Sequence, residues 1–166
     1  MRAVVAILVG SITLSAFAQS PAITVYVGAP LRGGFVDTDK AIQDSIADIK
    51  TRVAKLKGVK IVPARDGADL LLTVNARGVG SRAFGQRINI GELYGQVELT
   101  NQPMVANTYW TSAVLQVGDY RKEIIGHYTH EYSSSLGAWG DNASQITRTL
   151  SAWIDANREQ IIAKRQ

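Results

Sequence analysis

The chain contains no cysteine. Disulfides, thiolate metal sites and a lipid anchor joined through a cysteine at a leader cleavage point are all excluded, so stability must come from an ordinary hydrophobic core. Histidine is nearly as scarce, with two in the whole chain. Charge of either sign is modest: 18 basic residues stand against 14 acidic ones, for a net +4. That balance is mildly basic and does not mark a nucleic-acid binder. Long apolar runs are also rare. The longest, AVVAILVGSITLSAFA, follows Arg2 and gives way to Gln19-Ser20; it falls short of the roughly 20 residues that a membrane-spanning helix needs. A basic start, a short apolar core and small residues at Ala16 and Ala18 have the layout of a secretory signal peptide cut after Ala18. Residues 1–18 are therefore expected to be removed, leaving one domain over 19–166 that is periplasmic or secreted and has no membrane span after cleavage.

What is present is strongly periodic. Ile23, Val25 and Val27 alternate with Thr24 and Tyr26, the pattern of a half-buried strand. After the loop LRGGFV, with Asp37 or Thr38 as cap, Ile42, Ile46, Ile49, Val53 and Leu56 recur at steps of four and three. They form one stripe of a helix that stops at Gly58. Val59 to Val62 predicts a second strand, parallel to the first through a helical crossover. The linker containing Asp66 and Gly67 is short, so the third strand, Leu70 to Ala76, is expected to run back antiparallel. Its dense apolar run suits the middle of a sheet.

The segment GVGSRAFGQRINIGELYGQ after Arg77 predicts a long mobile hairpin connection or an irregular edge strand. Leu93 to Thr100 alternates as a two-faced strand, broken by Asn101-Gln102-Pro103. Tyr109 to Val117 and Tyr120 to His127 flank Gly118-Asp119, a two-residue hairpin loop. That register sets Trp110 beside His127 and Gln116 beside Arg121 on one face, with Ala113 beside Ile124 on the other. A final helix capped by Asp141 carries Ala143, Ile146, Leu150, Trp153, Ile154 and Ile161 on its apolar stripe, and a frayed basic tail starts at Lys164.

The order β-α-β-β-β-β-β-α predicts an α+β fold: a two-layer sandwich, with a mixed, mostly antiparallel sheet of five or six strands and two helices on one face. The other face is expected to be open. It would show Thr24, Tyr26, Thr73, Asn75, Tyr94, Gln96, Glu98 and Trp110, polar residues interspersed with aromatics.

Catalytic and cofactor chemistries lack their residues or their spacing. His127 and His130 precede Glu131, but residues three apart on a strand point to opposite faces, and the string has neither the spacing nor the intervening glutamate of a zinc-protease helix. Ser133, Ser134 and Ser135 lie near those histidines, with Asp141 downstream, yet no glycine-flanked elbow marks one as a nucleophile. Gly78-Val79-Gly80-Ser81 precedes more β-structure rather than the helix that a dinucleotide fingerprint requires. No cofactor and no metal are expected.

The first helix, VKIVPARDGADLLLTVNARG with its Ala68-Asp69 pair, Val117 to Tyr120 (VGDY), and Trp153 with Ala156-Asn157 together resemble small uncharacterised secreted bacterial α+β proteins. More distantly, the helix and the Ala-Asp strand are similar to the TolB amino-terminal domain and related periplasmic assembly domains. The resemblance implies an exported α+β domain and transfers no catalytic residue. The absent anchor cysteine departs from the assembly relatives.

Residues and resemblance together lead to the expectation of a non-catalytic binding or assembly module. Its partner surface is expected at Tyr94, Trp110, Arg77, Arg82 and Arg87, facing a protein or an anionic envelope component rather than nucleic acid. The alternative is a small extracytoplasmic hydrolase using the region from His127 to Asp141.

Overall fold

The computed structural model describes residues 21–93, 96–130 and 137–165, with side chains described outside 83–105 and His130. The first strand, β1 (Ile23–Gly28), buries Ile23, Val25 and Val27 completely and leaves Thr24 and Tyr26 half-exposed on the other face. The expected loop after it is instead a small antiparallel hairpin of β2 (Leu31–Arg32) and β3 (Phe35–Val36). Gly33 and Gly34 turn it with φ of +59° and +87°, a left-handed pair suited to a tight hairpin. An Arg32–Asp37 ion pair closes its base at 3.2 Å, while Phe35 at its tip is 80% exposed.

Helix α1 (Lys40–Val53) buries Ile42, Ile46, Ile49 and Val53, each worth about 1.5–3 kcal/mol of apolar transfer. Asp39 caps it, not Asp37 or Thr38: its carboxylate accepts from the Ile42 amide at 3.1 Å. Asp37 sits two residues back and accepts from the Asp39 amide at 3.0 Å, which orients the cap. The chain then turns at Gly58 (φ +67°) into β4 (Val59–Ile61), which pairs with β1 in parallel, as the crossover predicts.

The third strand departs from expectation. Strand β5 (Leu70–Leu93) runs parallel to β1, on the opposite side from β4, with Leu70 level with Val25. Residues 62–69 are not a hairpin loop. They pass across β1 on the face away from the helices, where the Arg65 guanidinium lies 5.7 Å from the centre of the Tyr26 ring and Asp69 binds Thr24. The full order is β4-β1-β5-β6-β7, parallel through β5 and antiparallel thereafter.

Strand β6 (Gln96–Val117) pairs with β5 along nearly its whole length, so the glycine-rich segment is strand with an irregularity in it, the second of the two expected forms, rather than a mobile connection. Leu93 pairs with Gln96, so the expected strand from Leu93 to Thr100 is divided between β5 and β6. Pro103 does not break β6. It pairs with Gln86 beside a register shift between Ala83 and Gln86, the kind of irregularity that accommodates a residue without an amide hydrogen.

A second irregularity has larger consequences. Val74 faces Ala113 and Ala76 faces Ser112, which leaves Asn75 as an extra, bulged residue. Before the bulge Leu70, Leu72 and Val74 face the helices; after it Arg77 does.

Strand β7 (Tyr120–His130) joins β6 through Gly118-Asp119 in the register read from the sequence: Trp110 with His127, Gln116 with Arg121, Ala113 with Ile124. Helix α2 (Ala138–Ala163) starts before Asp141, at a Gly137 cap with φ +88°, so Asp141 is a first-turn acid rather than the cap. Its approach to β7 is close enough that a Cβ on Gly126 would fall 2.4 Å from the Asn142 carbonyl oxygen. Both helices pack on one face of the five-stranded sheet, and the core lies between the layers. The chain is thus an α+β two-layer sandwich with a mixed, mostly antiparallel sheet.

Candidate functional site

Across β5, β6 and β7 the face away from the helices carries Leu71 and Thr73, then Trp110, Ser112, Val114 and Gln116, then Arg121, Glu123, Ile125 and His127. Trp110 lies against Gly78, where a Cβ would come within 2.6 Å of the indole; glycine there lets the ring rest on the backbone. The Ser112 hydroxyl donates to Glu123 at 2.6 Å. Ile125 is 54% exposed at the centre of β7. The result is a flat surface of aromatic, aliphatic and polar groups, the composition of a recognition face.

On the β1 side the same face is covered. Thr24 and Tyr26, expected in the open, lie under the segment 62–69. Asn75 is the bulged residue and Thr73 is nearly buried. Tyr94 lies outside the described residues, as do the side chains of Arg87, Gln96 and Glu98.

Arg77 does not join that face. Arg77 turns to the helix side, where its Nη1 donates to the Ala41 carbonyl at 3.0 Å and its guanidinium stacks 3.6 Å from the centre of the Trp139 ring. Trp139 in turn meets the buried Tyr109 edge-on at 5.2 Å. Burial lowers the Arg77 pKa from its ordinary value, partly offset by the field of Asp44, Asp48 and Asp39. Arg82 is exposed on β5, and its pairing with Ala106 places it on the same face as Trp110. Arg77 and Trp110, joined in one expected surface, therefore lie on opposite sides of the sheet.

The region from His127 to Asp141 is only partly described. His127 is exposed on β7, and Gln145 of α2 clasps its backbone, donating to the carbonyl at 2.6 Å and accepting from the amide at 3.3 Å. That contact occupies part of the outer edge of the sheet. Glu131 and the three serines, Ser133, Ser134 and Ser135, lie outside the described residues. Among the described residues no group of histidine and acidic side chains is disposed to hold a metal ion.

Two features escaped the sequence. The first is a clamp on Asp69. Its carboxylate accepts from the Thr24 amide and hydroxyl, both at 2.6 Å, and from Arg165 Nε at 2.7 Å; Arg165 also donates to the Ala22 carbonyl at 2.7 Å. Burial alone would raise the Asp69 pKa, but the Arg165 guanidinium and the Thr24 donors outweigh it and hold the carboxyl below its ordinary value. The tail expected to fray is anchored. The signal in the sequence was the Ala68-Asp69 pair, whose partner stands 96 residues away.

The second feature is a cleft of about 310 Å³ between the β6–β7 turn and the carboxy-terminal part of α2, lined by Val117, Tyr120, Trp153, Asn157, Gln160, Ile161 and Lys164. Tyr120 stacks on Trp153, ring centres 5.6 Å apart and planes 16° apart. The VGDY turn and the Trp153–Asn157 segment, separate motifs in the sequence, meet here.

No protein-family model matches the chain, and no curated protein is significantly similar to it.

Proposed function

We propose that the protein is exported and serves as a non-catalytic binding module, engaging a protein partner through the open face of β5, β6 and β7. The observation that carries this is the exposure of Ile125 beside half-buried Trp110, Val114 and Leu71 on a sheet face that neither helix covers. An aliphatic and an aromatic side chain held on rigid strands supply contact area at small entropic cost. A protein partner fits better than an anionic polymer, because the Arg77 guanidinium is committed to Trp139 on the helix side and Glu123 adds a negative charge to the open face. Among the described residues no helix is long and apolar enough to cross a membrane. The leader-like residues 1–18 support export.

The test is capture of partners from an extract of the source cells with the wild-type protein and with Ile125→Asp and Arg82→Ala variants, each checked for native circular dichroism. The expected result is a protein recovered by wild type and Arg82→Ala but lost with Ile125→Asp. Equal recovery by Ile125→Asp would contradict the proposal.

A further inference from the structure

We infer that the cleft beside the carboxy-terminal turns of α2 binds a small molecule with one flat apolar face and one carboxylate. Its wall is the Tyr120–Trp153 stack and its floor is the buried Ile161. Tyr120 remains 46% exposed, so aromatic surface is left to receive a planar ligand.

The polar groups are few and converge. Asn157 donates one amide hydrogen to the Trp153 carbonyl at 2.7 Å, which fixes the amide and leaves its Oδ1 as an acceptor. Gln160 and Lys164 make no side-chain hydrogen bond or ion pair among the described residues. Among the described residues no carboxylate lines the cleft, and Lys164 supplies the one charged group on its wall. An apolar wall with a small number of oriented polar groups is the usual construction of a ligand site, and about 310 Å³ lies at the small end of such sites. A bicyclic aryl acid and an acidic pyranose share the required chemistry: a flat face for the rings and a carboxylate for the ammonium.

The Asp69 clamp adds a positioning device. Arg165, next to Lys164, is tied to Asp69 and to the Ala22 carbonyl, so the last turn of α2 cannot fray and Lys164 is carried at the mouth of the cleft. The cleft lies on the helix side of the sheet. It is therefore separate from the proposed partner face, and the two proposals fail independently.

The test is titration of the ¹⁵N-labelled protein with indole-3-acetate and with glucuronate, and with their uncharged counterparts indole-3-ethanol and methyl glucoside. The readout is the Trp153 indole N–H signal, with those of Trp110 and Trp139 as controls of the fold. At least one acid is expected to shift the Trp153 signal, binding about tenfold or more tighter than its neutral counterpart. Lys164→Gln is expected to abolish that preference while neutral binding persists. The pair of acids distinguishes an aryl from a sugar ligand. Acid and neutral probes binding alike, a preference that survives Lys164→Gln, or no shift of Trp153 with either acid at about 10 mM would each overturn the inference.

Discussion

Arg77 illustrates how a half-buried cation is held against the helix layer without a hydrogen-bonded carboxylate partner. Its stem passes between the sheet and the helices, its guanidinium lies on the Trp139 ring, and one nitrogen donates to a carbonyl of α1. The contacts are those of a planar, weakly hydrated cation, which stacks on an indole where an ammonium would keep its water. Arg77→Ala is expected to lower stability by about 1–3 kcal/mol through loss of the stack and the charge-assisted hydrogen bond. Arg77→Lys is expected to recover less than half of that loss, because a point charge reproduces neither the plane nor the fork. Urea denaturation of the three proteins checks both statements. In the sequence Arg77 looked like one of three loop cations, because the Asn75 bulge that turns it inward is a matter of register with β6. A strand with one extra residue and a strand without it have the same composition.

At the scale of elements, the stretch from β4 to β5 shows where sequence reasoning holds and where it stops. Helix α1 and the β6–β7 hairpin were legible because their signals are local: apolar steps of three and four, and Gly118-Asp119 between alternating strands. The direction of β5 was not, because a short linker suits a hairpin equally well and only the Asp69 clamp shows that the chain has crossed β1.

The same clamp makes a pH prediction. The Asp69 carboxyl has a lower pKa in the folded chain than the 3.8 of an unperturbed group. Between the two values the unfolded chain binds more protons, so stability rises with pH there. The contribution is fully present above about pH 4–5, where the unfolded carboxyl is ionised, and is lost as pH falls through the folded value. Asp69→Asn is expected to be less stable than wild type by about 1–3 kcal/mol at pH 7, with the gap closing in acid. Urea midpoints from pH 7 to pH 2 measure it. A gap independent of pH would mean that the carboxylate charge contributes nothing.

For the whole molecule, the two layers divide the surface into sides with different capacities. The layering itself was readable, since two helices can cover about one face of such a sheet. What the sequence did not reveal is that the second face is itself divided. Segment 62–69 occupies its β1 side, so β5, β6 and β7 remain open, and of the surface residues first singled out Trp110 and, by its pairing with Ala106, Arg82 lie there while Arg77 does not. At the end of α2, three motifs far apart in the chain gather: Asp69 through Arg165, the VGDY turn through Tyr120, and Trp153 with Asn157. Neither arrangement is written in any local pattern, because both are made by tertiary contacts.

On the proposed function the open sheet face, not the helix layer, meets the partner. Site-specific photocrosslinking in the source cells tests it most directly, with the photoreactive residue at position 125 on β7 or at position 148, which is exposed on α2. A discrete protein adduct is expected from position 125 and none from position 148. An adduct from position 148 with none from position 125 would contradict it.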